Sequence, residues 1–151
     1  MKEMLSKDAV DKINLLIEKN FSTAKDYKMA AGNTFSPALL GFLNDYSLQR
    51  EQFALDLCTA LLKVGKQPLK NGDKSGQMQQ AWFNLKSALS KNMDRAVLKE
   101  CVTGERAALG QYRKILKDTH FYPAIERLLR KQQSVVENAC RRIKQLEGLL
   151  K

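Results

Sequence analysis

Histidine is almost missing from this chain: His120 is the one copy in 151 residues. That scarcity removes most histidine-based metal and acid–base sites, and His120, in the turn before Pro123, reads as a surface turn residue. Cysteine is nearly as sparse. Cys58, Cys101 and Cys140 lie about 40 residues apart, their number is odd and no C-x-x-C occurs. A disulfide framework or a zinc cluster is therefore not expected, and the three read as reduced thiols buried as small hydrophobes. No base stands near any of them in sequence to make a nucleophile. There are 3 prolines and 8 glycines, most of them where an element should end. The longest apolar runs are a few residues, so no membrane span is expected. The opening "MKEMLSKDAV" has no apolar stretch of signal-peptide length, which points to the cytoplasm. P-loop, G-x-G-x-x-G, G-x-S-x-G and H-E-x-x-H patterns are all absent, and with them the nucleotide, hydrolase and metalloprotease chemistry they carry.

What the chain does have is helical periodicity. Its length fits one domain, residues 1–151, able to bury roughly two thirds of the surface exposed on unfolding. A first helix is predicted from about Ser6, a plausible N-cap, to Ala31, stopped by Gly32 and Asn33. Val10, Ile13, Ile17, Phe21, Ala24 and Ala31 form its stripe. A second begins with Ser36 as cap and Pro37 in the first turn and ends at Gly65. Leu39, Leu43, Tyr46, Phe53, Leu57, Leu61 and Val64 face its core side. "KQPLKNGDKSG" reads as a loop. A short amphipathic helix from Met78 to Leu89 follows, with Trp82, Phe83, Leu85 and Leu89 turned to the protein. Another helix opens near Asp94, a candidate N-cap, and ends near Asp118, with Leu98, Cys101, Ala108, Leu109, Tyr112 and Ile115 as its stripe. The last begins near Pro123 and runs almost to Lys151, with Ile125, Leu128, Val135, Ala139, Ile143, Leu146 and Leu150 inward. No strand-period alternation stands out.

Four long amphipathic helices bury one another most simply as a four-helix bundle. The first two are joined by about five residues and so are antiparallel neighbours. The last two are joined as closely. About 28 residues separate the pairs, enough to travel the length of the bundle. The predicted fold is therefore all-α: an up-down-down-up, ferritin-like bundle with a short extra helix in its long crossover.

Each long helix carries one polar residue inside its apolar stripe. At 100° per residue, Glu105 sits at the centre of its buried arc, Arg50 lies between Tyr46 and Phe53, Gln132 between Leu128 and Val135, and Asn20 between Ile17 and Ala24. All four point to the bundle axis at similar height. They can form an ion pair of Glu105 and Arg50 with Gln132 and Asn20 satisfying the remaining groups, or they can be the remains of a ligand site. A di-metal centre needs a Glu from each of two helices and a Glu-x-x-His from each of the others. Here the inward i, i+3 pairs are Arg50/Phe53 and Gln132/Val135. Glu51/Ala54 and Glu137/Cys140 hold half the motif but project to the surface. No metal or other cofactor is expected; if any metal bound, Glu105 would be its ligand.

"QAWFNLKSALSKNMDRAVLKECVTGERAALGQYRKIL", Gln80 to Leu116, resembles a bacterial family of small ferritin-like four-helix-bundle proteins whose domain has no assigned function. The W-x-N-L-K-x-A-L block from Trp82 to Leu89 and the E-C-x-x-G-E block from Glu100 to Glu105, with Tyr112 one heptad on, carry the likeness. "LNDYSLQREQFALDL", Leu43 to Leu57, is similar to that family's second helix. The first helix matches weakly and lacks acidic and glycine residues around Ser22 to Ala24. The resemblance implies a ferritin-like fold, a bacterial origin and a stress-linked role, and it implies no activity.

Net charge is +10 and uneven: residues 1–75 hold 11 Lys/Arg against 9 Asp/Glu, residues 76–151 hold 15 against 7. Arg95, Lys99, Arg106, Arg113 and Lys117 share one outer side of the helix that begins near Asp94. Arg127, Arg130 and Arg141 face outward on the last helix, flanked by Lys131, Arg142 and Lys144. The two stripes can merge into a surface for DNA, RNA or another polyanion, although no aromatic residues interleave them. The expectation is a protein without catalysis of its own, with a structural or partner-binding role, its partner another protein or a second copy. Iron binding in the interior and weak polyanion binding on the basic face are the alternatives.

Overall fold

The computed structural model describes residues 5–69 and 93–149. The short helix expected from Met78 to Leu89, and Leu150, lie outside those residues. Four helices make up the described chain, with no strand among the described residues: α1 (Lys7–Ala31), α2 (Pro37–Lys63), α3 (Met93–Asp118) and α4 (Pro123–Leu149). Each is 25 to 27 residues long, about 40 Å at 1.5 Å per residue.

Local chemistry sets the ends. Ser6 Oγ accepts from the Ala9 N–H at 3.0 Å and Ser36 Oγ from that of Leu39 at 3.3 Å, each satisfying one of the orphan donors of a first turn. Pro37 opens α2, where its missing N–H costs nothing. Gly65, with φ of 74°, closes it. The Lys66 N–H reaches the Leu61 carbonyl and the Gly65 N–H that of Leu62, the paired bonds of a left-handed helix stop. Asp94 does not cap α3 as expected. It lies inside the first turn, and its carboxylate accepts from Thr34 Oγ1 at 2.5 Å and the Phe35 N–H at 2.9 Å. It is spent on tying α3 to the α1–α2 turn.

That tie decides the topology. α3 starts beside the turn where α2 starts, so the two run the same way. α1 and α2 are antiparallel: Ser47 Oγ donates to the Ala24 carbonyl at 2.7 Å, and Arg50 reaches Asn20. α4 runs against α2, with Gln132 at Phe53 and Arg142 at Asp45. The order is up-down-down-up. α1–α2, α3–α4 and α2–α4 pack as neighbours, and α2 faces α3 across the diagonal.

Most of the expected stripe residues are buried, among them Ile13, Ile17 and Ala24 on α1 and Leu39, Leu43, Tyr46, Phe53, Leu57 and Leu61 on α2, but the buried faces also take in neighbours that the stripes alone leave out. On α1, Ala9, Leu16, Tyr27 and Ala30 are in the core, while Val10, Phe21 and Ala31 are half-buried at its edge. On α4, Leu129 and Val136 take the centre, with Leu128 and Val135 beside them. Val64 is likewise half-buried, and Phe42 and Ala54 are buried on α2. Every helix touches two others, so its buried arc is wider than one stripe and takes both members of an apolar pair. Cys101 is buried, but Cys58 and Cys140 are only half-buried.

The apolar interior comes in two parts. One cluster holds Leu16, Ile17, Leu57, Leu61, Ile115, Leu129 and Val136; the other holds Leu39, Phe42, Leu43, Val97, Leu98, Cys101 and Ile143. Polar side chains lie between them.

Candidate functional site: a polar layer inside the bundle

Asn20, Arg50, Glu105 and Gln132 are each at most 2% exposed, and the fold brings them to one level. Arg50 is the largest fully buried side chain among the described residues. It crosses the diagonal, and its Nη2 donates to Glu105 Oε2 in an ion pair. Its Nη1 donates to Asn20 Oδ1 at 3.1 Å. Its guanidinium carbon lies 5.8 Å from the centre of the Phe53 ring.

Two tyrosines complete the layer, and sequence reasoning assigned neither a polar role. Tyr27 Oη donates to the second carboxylate oxygen, Glu105 Oε1, at 2.5 Å. Tyr112 Oη accepts from Asn20 Nδ2 at 3.0 Å and donates to Gln132 Oε1 at 2.7 Å. Asn20 Nδ2 also donates to the Leu16 carbonyl at 2.9 Å, and Gln132 Nε2 to the Phe53 carbonyl at 3.3 Å. The chain of contacts runs Tyr27–Glu105–Arg50–Asn20–Tyr112–Gln132 and touches all four helices. Tyr27 lies seven residues after Asn20 and Tyr112 seven after Glu105, on faces their stripes already bury. The available signal was the combination of a tyrosine with a polar residue one heptad away on an inward stripe.

The charges of the layer neutralise one another. Burial pulls the Arg50 guanidinium down, but the adjacent Glu105 carboxylate outweighs it and the net direction is up. Burial, then the negative charge of Glu105, holds the Tyr27 phenol well above its ordinary value. Burial pushes Tyr112 up to about 12, against the opposing hydrogen bond from Asn20. Cys101, beside Tyr27 in the same region, is pushed far up by burial and by Glu105 and Glu100, so it stays a thiol.

The same residues do not fit a di-metal centre. Glu105 is the one carboxylate of the layer and both its oxygens are engaged. The buried Arg50 guanidinium beside it would repel a cation. Among the described residues no group of three or more His, Cys, Asp and Glu side chains could hold a metal ion. Glu51 is exposed, and Glu137 faces out to Arg113 at 3.7 Å.

Sequence reasoning missed Asp26. It is 1% exposed, neither carboxylate oxygen has a hydrogen-bond partner, and burial raises its pKa to about 7. It lies off the apolar stripe of α1, where periodicity reads it as surface. Arg50 Nε is likewise buried without a partner.

The eight basic positions Arg95, Lys99, Arg106, Arg113, Lys117, Arg127, Arg130 and Arg141 are all exposed. Arg113 is tied to Glu137, Arg130 to Glu126 at 3.2 Å and Arg141 to Asn138. Arg142, expected at the flank, lies over the Phe42 and Tyr46 rings of α2 instead, at 5.9 and 5.8 Å. No helix among the described residues is long and apolar enough to cross a membrane.

No curated protein matches the chain. A family model does, over residues 8–118, which span α1, α2 and α3 and hold every member of the layer except Gln132. With nearly three quarters of its length matched, this chain belongs to the family described as the domain of unknown function DUF2383.

Proposed function

We propose that the protein is a ferritin-like bundle without catalysis of its own, acting as a structural or partner-binding protein. In this reading a closed polar network fills the interior position that a di-metal centre occupies in ferritin-like carriers. The up-down-down-up order and the long crossover support the ferritin-like assignment. The observation that carries the reading is the Arg50–Glu105 pair across the diagonal, with Tyr27 on the other carboxylate oxygen. An interior cation would have to displace the guanidinium and leave it buried without its partner, a cost of several kcal/mol. The test is elemental analysis of protein purified without chelators, beside the Glu105→Ala variant. Metal far below one equivalent in both agrees with the reading. Near-stoichiometric iron or another metal, lost on Glu105→Ala, overturns it.

A second role is favoured by the exposure of all eight basic positions on α3 and α4. A polyanion would meet them as phosphate contacts without base readout, so binding would weaken steeply with salt. Mobility of a DNA fragment at low and at moderate salt tests it; no shift at low salt removes it.

A further inference from the structure

Among the described residues three seams of the bundle are packed, α1–α2, α2–α4 and α3–α4. The seam between α1 and α3 is not. Long side chains link these two helices, Tyr27 to Glu105 and Asn20 to Tyr112, and along them runs a groove of about 930 Å³. Its α3 side is built from small residues, Gly104, Ala107 and Ala108, and its α1 side holds Leu15 and Leu16. It extends from Leu15 to Asp26, about 16 Å at 1.5 Å per residue. Its floor is dry. Asp26 and Arg50 both line it, and they carry the unpaired Asp26 oxygens and the unpaired Arg50 Nε. A groove open to water would hydrate these atoms, yet Asp26 is 1% and Arg50 2% exposed. The seam therefore calls for a cover.

The chain on either side says which cover. After α2 the Leu69 N–H donates to Asn14 Oδ1 at 2.8 Å, so the chain has already left α2 and lies against α1. It returns in α3, which Asp94 ties to Thr34 and Phe35 beyond the opposite end of α1. Residues 70–92, outside the described ones, must therefore pass from α1 to α3 along the length of α1. Their sequence holds the amphipathic segment Met78 to Leu89, with Met78, Trp82, Leu85 and Leu89 at the spacing of one helical face. A helix over 78–89 would measure about 18 Å, close to the length of the groove, and residues 70–77 and 90–92 are left to reach its two ends. We propose that the crossover segment 78–89 docks in the groove between α1 and α3, with its Trp82 face turned to the small residues of α3. The indole is then received where α3 offers nothing larger than a methyl group, and the apolar face seals Asp26.

The proposal is independent of what the interior holds, because the substitutions that test it leave Arg50 and Glu105 in place. Trp82 is the only tryptophan of the chain, so its fluorescence reports on the segment alone. In the folded full chain its emission is expected to the blue of that of the urea-unfolded chain, with acrylamide quenching several-fold weaker. Ala107→Glu puts a charge on an exposed position of the groove and is expected to move the emission to the red and raise the quenching. Leu55→Glu, on the outer face of α2, is expected to change neither. Trp82→Ala is expected to lower the melting temperature and to admit a hydrophobic dye while helical circular dichroism is kept. Emission of a water-exposed indole from the folded chain overturns the proposal. So does a Trp82 signal indifferent to Ala107→Glu, or one that responds to Leu55→Glu instead, since the segment would then lie over α2. A Trp82→Ala protein that melts like the wild type overturns it even where Ala107→Glu does not fold.

Discussion

At the scale of single residues, Glu105 answers for two partners at once. Truncating it leaves the Arg50 guanidinium buried with only Asn20 and strands the Tyr27 hydroxyl. The Glu105→Ala protein is expected to lose about 3–5 kcal/mol, which lowers the melting temperature by about 10 °C in a chain of this size. Replacing both charges, Arg50→Met with Glu105→Leu, should cost less than Glu105→Ala alone, because no buried ion is left unpaired. A double-mutant cycle followed by thermal melting checks both. Asp26 gives the opposite kind of prediction. Its pKa is about 7 when folded and near 3.8 in the open chain, so the folded state prefers the protonated acid. Its penalty is absent below about pH 4, grows as pH rises and is complete above about pH 7. Asp26→Asn is expected to raise the melting temperature at pH 8 by a few degrees and to leave it unchanged near pH 4. An identical shift at both pH values would show that the carboxylate is not the cause. These two sites also mark how far single residues could be read. The inward direction of Asn20, Arg50, Glu105 and Gln132 follows from 100° steps, because each interrupts an apolar stripe. Asp26 interrupts nothing, so periodicity carries no sign of its burial.

Individual helices were more legible at their caps than in their phase. Serine before a helix and proline in its first turn act within a few residues, so Ser6, Ser36 and Pro37 do in the structure what their neighbours in sequence require. Asp94 has the same local credentials, yet Thr34 and the Phe35 amide, 60 residues away, claim its carboxylate. The edges of the buried faces of α1 and α4 differ from expectation for a similar reason: which member of an apolar pair goes deepest depends on where two neighbouring helices stand. The leucines of α2 show the same limit from outside. The heptad spacing of Leu48, Leu55 and Leu62 is plain in the sequence, but nothing local says that these three are exposed. Gly65 is the element-scale position where one backbone angle does the work. No atom stands within 4 Å of where a Cβ would be, so Gly65→Ala meets no clash. Its cost is the left-handed conformation alone, about 1–2 kcal/mol, measurable as a shifted denaturation midpoint at unchanged slope.

Across the whole molecule, the polar layer and the two apolar clusters make the four helices interdependent. The family match ends at residue 118, yet α4 supplies Leu129 and Val136 to one cluster and Ala139, Ile143 and Leu146 to the other. It also supplies Gln132, which holds the Tyr112 hydroxyl and the Phe53 carbonyl. Without α4, Leu57, Leu61, Tyr112 and Ile115 would face water on one side, and each buried aliphatic side chain is worth about 1.5–3 kcal/mol. Together with the lost burial of Leu129, Val136, Ile143 and Leu146 themselves, that loss is comparable to the whole stability expected of such a domain, about 5–15 kcal/mol. A chain ending at Thr119 is therefore expected to keep helical circular dichroism, lose its cooperative melt and bind a hydrophobic dye. Gln132→Ala in the full chain removes only the polar link and should cost about 1–3 kcal/mol with the melt still cooperative. A truncated chain that melted sharply would place the cooperative unit within α1–α3 and make α4 an appendage rather than the fourth wall of the bundle.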